Sequence, residues 1–289
     1  MTKRSRSSRD EAFRIATYYP PRPRHARKGD YGRIIIAGGS ERYSGCLAFN
    51  ALAALKTGAD LAIIVAPQRP ADIVAGFSPD LITVPCPSAF PDPELVRELL
   101  EGADALIVGC GVLRTRAAHQ AVLEIIRDCS LPIVADAETL HAIASKPTVC
   151  HGKRMLLTPN AGEFQVLSGK RWPASPGARS TAIRLLARRL KTTIIVKGAE
   201  DYISDGVRVH VDHEGSPYLT KGGYGDLLAG VAGALMARGN NPFESAKVAA
   251  YIVGRAGRRA AARLGEGTLA SDVLAYLPDA VNGRRGRSL

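Results

Sequence analysis

The 289-residue chain is poor in aromatic residues, at 6%, and holds a single tryptophan. Aromatic and basic residues are nowhere interleaved, so no platform is offered on which single-strand bases would stack. The five cysteines (Cys46, Cys86, Cys110, Cys129 and Cys150) are odd in number, scattered and without CxxC spacing. That pattern argues against a disulfide framework and a thiolate zinc site, and it fits a reducing cytosol. The six histidines show no metal spacing. No apolar run approaches ~20 residues, so no membrane span is expected, and the amino terminus is too charged for a secretory signal. The sequence also lacks GxxxxGK followed by Ser or Thr, the phosphate loop of many nucleotide hydrolases. It lacks GxGxxG after its first apolar run, which argues against a hydride-transferring dinucleotide fold.

Positive charge is abundant, with a formal net of +12, but it is unevenly placed. Residues 1–33 hold ten Lys or Arg against three Asp or Glu, and the closing NGRRGRSL adds three arginines. About ten of the twelve excess charges therefore lie in the ends. This reads as two solvated basic tails, residues 1–27 and 281–289, the first partly disordered. They would make at most weak, salt-sensitive contacts with polyanions. Between them, residues 28–280 read as one domain, and a 46% hydrophobic composition suffices for a substantial core.

Seven apolar runs punctuate that domain: 33–39, 61–67, 81–86, 105–111, 131–136, 155–160 and 193–198. Most are continuous Val/Ile/Leu blocks, the pattern of strands covered on both faces. Helices are expected between them at 45–57, 93–101, 116–128, 137–144, 162–168 and 177–190. The alternation predicts an α/β fold: a mostly parallel sheet flanked by helices in three α/β/α layers. DYISDGVRVHVD, with alternating Val207, Val209 and Val211 after Asp205-Gly206, predicts a hairpin at one sheet edge. Three closing helices are expected at 226–238, 243–263 and 270–277.

Polar and glycine punctuation follows the strands: Gly38-Gly39-Ser40, Gly109-Cys110-Gly111, Asp136, Thr158-Pro159-Asn160 and Lys197-Gly198. In a parallel sheet these points share the carboxyl edge, where open α/β folds bind ligands. A sixth feature comes late. In LTKGGYGDLLAG, Gly222, Gly223 and Gly225 precede Asp226 and an apolar helix. A glycine turn entering a helix aims unpaired N–H groups at one spot, where the helix dipole adds positive charge. The pattern points to a phosphate-containing ligand, with an acid at its edge to cap the helix or to handle protons.

These late residues resemble the anion-hole motif of ribokinase-like kinases, and Asn160-Ala161-Gly162-Glu163 is similar to their NxxE magnesium motif. Longer stretches resemble one branch, the ADP/ATP-dependent NAD(P)H-hydrate dehydratases. They are RKGDYGRIIIAGGSERYSG, LTPNAGEFQVLSG, TIIVKGAEDYISDG, GSPYLTKGGYGDLLAGVAGALMARG and GTLASDVLAYLP, in order from about residue 28 to 278. No fused epimerase domain is apparent, so the expectation is a stand-alone enzyme.

The resemblance implies repair of hydrated NAD(P)H. ADP or ATP phosphorylates the C6 hydroxyl, and loss of phosphate restores the dihydropyridine. Carried over, Asp226 is the base and Gly222, Gly223 and Gly225 form the anion hole. Lys197, Gly198, Ala199, Glu200 and Asp201, with Gly225, hold the nucleotide. Cys46, Gly111, Asn160 and Asp226 line the hydrate pocket, and Glu163 orients water on Mg²⁺. A cytoplasmic homo-oligomer without a nucleic-acid partner is implied as well. The alternatives are a ribokinase-like kinase acting on another hydroxyl, and a nucleotide-binding protein that has lost turnover.

Each residue also has a plainer reading. Asp226 fits a first-turn helix acid, and Asn160 with Glu163 fits a capping box. Asp136 fits a cap for the helix at 137–144, Lys197 a surface lysine, and Cys46 and Cys110 small buried residues. Tyr224 stands where the family usually has Thr, which would set a phenol beside the anion hole.

Overall fold

A computed structural model describes residues 15–283. Seven strands are parallel: β1 (Arg33–Ala37), β2 (Leu61–Pro67), β3 (Ile82–Cys86), β4 (Ala105–Val108), β5 (Ile133–Ala135), β6 (Met155–Leu157) and β7 (Thr193–Val196). Two antiparallel strands, β8 (Asp201–Ser204) and β9 (Val209–Asp212), extend one edge as the expected hairpin. The nine strands lie in the order β3-β2-β1-β4-β5-β6-β7-β8-β9.

The sheet is buried on both faces, which is why its strands read as unbroken apolar blocks. In β1, Ile34 and Ile36 enter one core while Ile35 and Ala37 enter the other. The first core is closed by α1 (Gly45–Lys56), α2 (Gln68–Ala75), α8 (Tyr224–Ala237), α9 (Pro242–Leu264) and α10 (Ala270–Val281). The second is closed by α3 (Pro93–Leu100), α4 (Arg116–Asp128), α5 (Glu138–Ser145), α6 (Ala161–Ser168) and α7 (Pro176–Leu190). Three α/β/α layers result, as the alternation predicts.

There are two local differences from the sequence reading. Helix α2 adds to the expected helices; its Pro70 lies in the first turn, where its missing N–H costs nothing. Strands β1 and β4 to β7 also end earlier than their apolar runs. Gly38-Gly39, Gly109 to Gly111, Asp136, Thr158 to Asn160 and Lys197 lie beyond them, as loops at one edge.

That edge includes a topological switch point. The connection from β1 leads to β2 on one side, while β4 lies on the other, so the loops after β1 and β4 diverge around a crevice. The two loops also touch. A Cβ on Gly38 would lie 2.3 Å from the Cys110 carbonyl, and Gly39 N–H donates to that carbonyl at 2.8 Å.

Residues 15–27, read as tail, lie against the domain. Ile15 is buried, and Tyr18 donates to Glu244 Oε2 at 2.8 Å. Arg22 pairs with Asp60 at 2.7 Å and stacks 3.9 Å from the centre of the Tyr31 ring. The readings of residues 1–14 and 284–289 lie outside the described residues. Asp60 also accepts N–H bonds from Gly29 at 2.9 Å and Tyr31 at 3.1 Å. Burial pushes its carboxyl up, but Arg22 and the two amides outweigh this and hold it below the usual range. A depressed carboxyl stabilises the fold above its ordinary pKa, and that gain fades as pH falls through the lowered value. Asp60→Asn is therefore expected to cost ~1–3 kcal/mol at pH 7 and progressively less in acid, as read from urea midpoints at several pH values.

Candidate active site

The late glycines build the start of α8, which begins at Tyr224, two residues before the expected start. Gly223 precedes it in the left-handed region at φ 99°, and no side chain caps the helix. A Cβ on Gly223 would meet Ala270 Cβ at 2.7 Å and the Phe49 ring at 2.9 Å. Glycine is required there by backbone and by space. Gly222, by contrast, faces open space. Gly225 lies in the first turn, where a Cβ would come within 3.0 Å of Lys197 Nζ. The first-turn amides have no intrahelical acceptor and point toward the loop, as an anion site requires. Asn50 Nδ2 donates to the Asp226 carbonyl at 2.7 Å and ties this turn to α1.

Asp226 shares its surroundings with a second carboxylate. Asp136, just past β5, has its Oδ1 2.8 Å from Lys197 Nζ and accepts the Thr158 hydroxyl at 2.5 Å. Its Oδ2 lies 3.7 Å from Cys110 Sγ. Ligand atoms of Cys110, Asp136 and Asp226 all lie within 4.8 Å of one another. Burial, then the Asp136 charge, lift the Asp226 carboxyl to about 7, against the opposing influence of Cys110 and Lys197. Burial also pushes Asp136 upward, but Lys197, Thr158 and the Ala137 N–H reverse this and hold it low. The two acids thus differ in character: one stays ionised, and the other exchanges a proton near neutrality.

Two cavities meet at Asp226. The larger, about 870 Å³, is lined by Lys197, Gly198, Ala199, Asp201, Asn160, the glycines 222, 223 and 225, and an apolar floor that includes Leu219 and Val253. The smaller, about 290 Å³, is lined by Cys46, Gly111, Glu163, Tyr43 and Arg114 among others. Asp226 lines both. The expected residues are thus gathered at one edge, with two differences. Asn160 faces the larger cavity rather than the one lined by Cys46 and Gly111. Glu200 lines neither; it pairs with His213 at 3.0 Å and accepts the Tyr202 hydroxyl at 3.1 Å.

Other expectations are refined by the contacts. Tyr224 is 9% exposed and packs in the core, and it also lines the larger cavity. Asn160 and Glu163 form the capping box: Asn160 Oδ1 accepts Gly162 and Glu163 N–H, and Glu163 Oε2 accepts Asn160 N–H at 2.7 Å. Gly111 is held at φ 75°, and a Cβ there would come 2.6 Å from Cys46 Sγ. Burial pushes the Cys46 thiol to about 12, so it acts as wall rather than nucleophile.

Sequence reasoning underweighted Asp136, which lines the larger cavity, and gave no role to Arg114, Glu138 and His141, which line the smaller. Glu138 binds His119 at 2.6 Å and Arg114 at 2.9 Å. Only the placement of Asp136 directly after an apolar strand signalled it. The cluster of Cys110, Asp136 and Asp226 is a poor match for Mg²⁺, because it offers a thiol and has an ammonium already seated on one carboxylate. Glu163 fits better: one oxygen serves the cap, and the residue lines the smaller cavity, suited to a Mg²⁺ that keeps its waters.

The fold is similar to that of a solved ribokinase-like superfamily protein from Enterococcus faecalis, which superposes with TM-score 0.78 at 20% identity, covering 90% of each chain. The family model for NAD(P)H-hydrate dehydratase matches residues 34–279. An ADP-dependent (S)-NAD(P)H-hydrate dehydratase of Cenarchaeum symbiosum is 34% identical over 91% of this chain and 93% of its own length. A bifunctional NAD(P)H-hydrate repair enzyme of Pyrobaculum aerophilum is 38% identical over 88% of this chain and 51% of its own. The chain spans about half the length of such bifunctional relatives and belongs to the NAD(P)H-hydrate dehydratase family.

Proposed function

We propose that the protein dehydrates (6S)-NAD(P)H hydrate to NAD(P)H by transient phosphorylation of the C6 hydroxyl, with ADP or ATP as donor. The observation that carries this reading is Asp226, the residue shared by a nucleotide-sized cavity and a smaller one. In this reading the nucleotide lies in the larger cavity over Gly198, Ala199 and Asp201. Its terminal phosphate meets the amides at the start of α8, near Lys197. The hydrated ring enters the smaller cavity between Cys46 and Gly111.

Asp226 accepts the C6 hydroxyl proton as that oxygen takes the phosphoryl group from the nucleotide. A carboxyl poised near 7 suits this task at neutral pH. The first-turn amides, in a water-poor corner, stabilise charge on the transferring group. Phosphate then leaves with the C6–O electron pair, a proton leaves C5, and the C5–C6 double bond returns. Glu163 would hold a water of Mg²⁺, which when bound neutralises phosphate charge.

The test is to mix the protein with hydrated NADH, Mg²⁺, and ADP or ATP in turn. Return of dihydronicotinamide absorbance with release of free phosphate is expected. A stable phosphoester with no absorbance change would instead identify a kinase for another hydroxyl, and no turnover with nucleotide bound would identify a binding protein. Among the described residues no helix is long and apolar enough to cross a membrane; a cytoplasmic setting is part of the proposal. The homo-oligomer implied by the resemblance is checked by light scattering, where a 30.7 kDa species removes that part of the reading.

A further inference from the structure

We propose that Asp136 is a positioning residue that holds the Lys197 ammonium away from Asp226 and so leaves the Asp226 carboxylate free to take a proton. The inference rests on the role given to Asp226 above. It begins from a choice made in the structure. Two carboxylates occupy one cluster beside a single ammonium, and Lys197 pairs with Asp136 at 2.8 Å while no ion pair to Asp226 forms. An ammonium seated on Asp226 would stabilise its charged form and weaken it as a base.

The selection is built into the fold. Asp136 is 3% exposed, and Lys197 and the Thr158 hydroxyl both bond to its Oδ1. Its Oδ2 faces Cys110 Sγ. The next residue, Ala137, sits at φ 50° and ψ −122°, where a non-glycine residue is strained. Such strain persists only where the surroundings impose it, and it collects at functional sites. Lys197 is itself fixed from below, since its N–H donates to the Pro159 carbonyl at 2.9 Å. Gly225 closes the gap between Lys197 and the first turn of α8, where an added Cβ would come 3.0 Å from the ammonium.

The charged and titratable groups around Asp226 come from several elements: Asp136 after β5, Lys197 after β7, Cys110 after β4, Cys46 on α1, Glu163 on α6, and Arg114, Glu138 and His141 lining the same smaller cavity. Both thiols stay protonated, since burial raises Cys46 and Cys110. Asp136 and Lys197 are therefore the pair that sets the field at Asp226. Their influences have opposite sign, and removing each in turn gives opposite results.

In Asp136→Asn, Lys197 is released toward Asp226 and a neighbouring anion is lost. Both changes favour the Asp226 carboxylate, so its titration moves down by at least about one pH unit, and turnover at pH 8 falls about tenfold or more. In Lys197→Met the titration moves up. In the double variant it returns close to the wild-type position. Carbon-13 NMR of the aspartate carboxyls reads these shifts in the unliganded protein, without turnover. Emission of the single Trp172, which packs 4.6 Å from Phe164 and 5.6 Å from Tyr202 between ring centres, reports that each variant is folded. An unchanged or raised Asp226 titration in folded Asp136→Asn overturns the proposal. Should that variant fail to fold, Lys197→Met decides, and an unmoved titration there overturns it equally. If the three shifts appear but wild-type protein does not dehydrate the hydrate, the role of Asp136 stands and the proposed reaction falls.

Discussion

Asp226→Asn is expected to lower turnover by ~10²–10⁴-fold, the usual worth of a positioned general base, and to leave nucleotide affinity nearly intact. The amide keeps the shape of the carboxyl but cannot take the hydroxyl proton. The same substitution should stabilise the empty protein. Burial and Asp136 raise the Asp226 carboxyl from 3.8 to about 7 in the folded chain. Between those values the native state binds a proton that the unfolded state releases, so stability falls as pH rises through that window. Asparagine carries no such cost. At pH 8 the variant should therefore be the more stable by up to ~4 kcal/mol, and near pH 4 the difference should vanish. Thermal unfolding at the two pH values, together with single-turnover rates, measures both effects. Slower turnover with no gain in stability at pH 8 would mean that the carboxyl is not raised in the folded protein. Full turnover would remove Asp226 as the base.

Gly223→Ala is expected to be nearly as damaging by a different route. The residue must adopt φ 99°, and the new methyl would meet Ala270 Cβ at 2.7 Å and Phe49 at 2.9 Å. Left-handed strain alone costs on the order of 1–3 kcal/mol. The turn must also shift, which carries the α8 amides off the transferring phosphoryl group. Loss of one such donor is typically worth ~10²–10³-fold in turnover. Gly222→Ala is the matched control, because nothing lies near its added methyl. The expected pattern is a lower melting temperature and slow turnover for Gly223→Ala, with a near-native melting temperature for Gly222→Ala. Equal behaviour of the two variants would show that the turn does not shape the site.

Much of the fold was legible because burial on both sheet faces leaves an unbroken apolar record, as in RIIIA and ALIV. The hairpin was legible for a local reason: Asp205-Gly206 carries its own turn chemistry, with Asp205 Oδ1 accepting the N–H groups of Val207 and Arg208. Helix α2 stands outside the expected helices; its proline sits in the first turn, where proline is tolerated. The tail boundary at residue 27 was placed by composition, which does not register that Arg22 has a partner 38 positions away.

The site divides in the same way. Gly222, Gly223, Gly225 and Asp226 form one contiguous turn, so their pattern carries the geometry. Asp136 and Lys197 are 61 residues apart and meet only when β5 and β7 end at one edge. Asp136 at a helix start looks the same in sequence whether it caps that helix or anchors a lysine. Tyr224 stands beside the glycines in sequence and lines the same cavity in the fold, while also packing in the core.

The most direct measurement is a crystal structure with ADP or ATP soaked into the larger cavity. The terminal phosphate should lie against the main-chain N–H groups at the start of α8, with the Asp226 carboxyl beside it and facing the smaller cavity. A nucleotide bound elsewhere, with that corner vacant, would contradict the account.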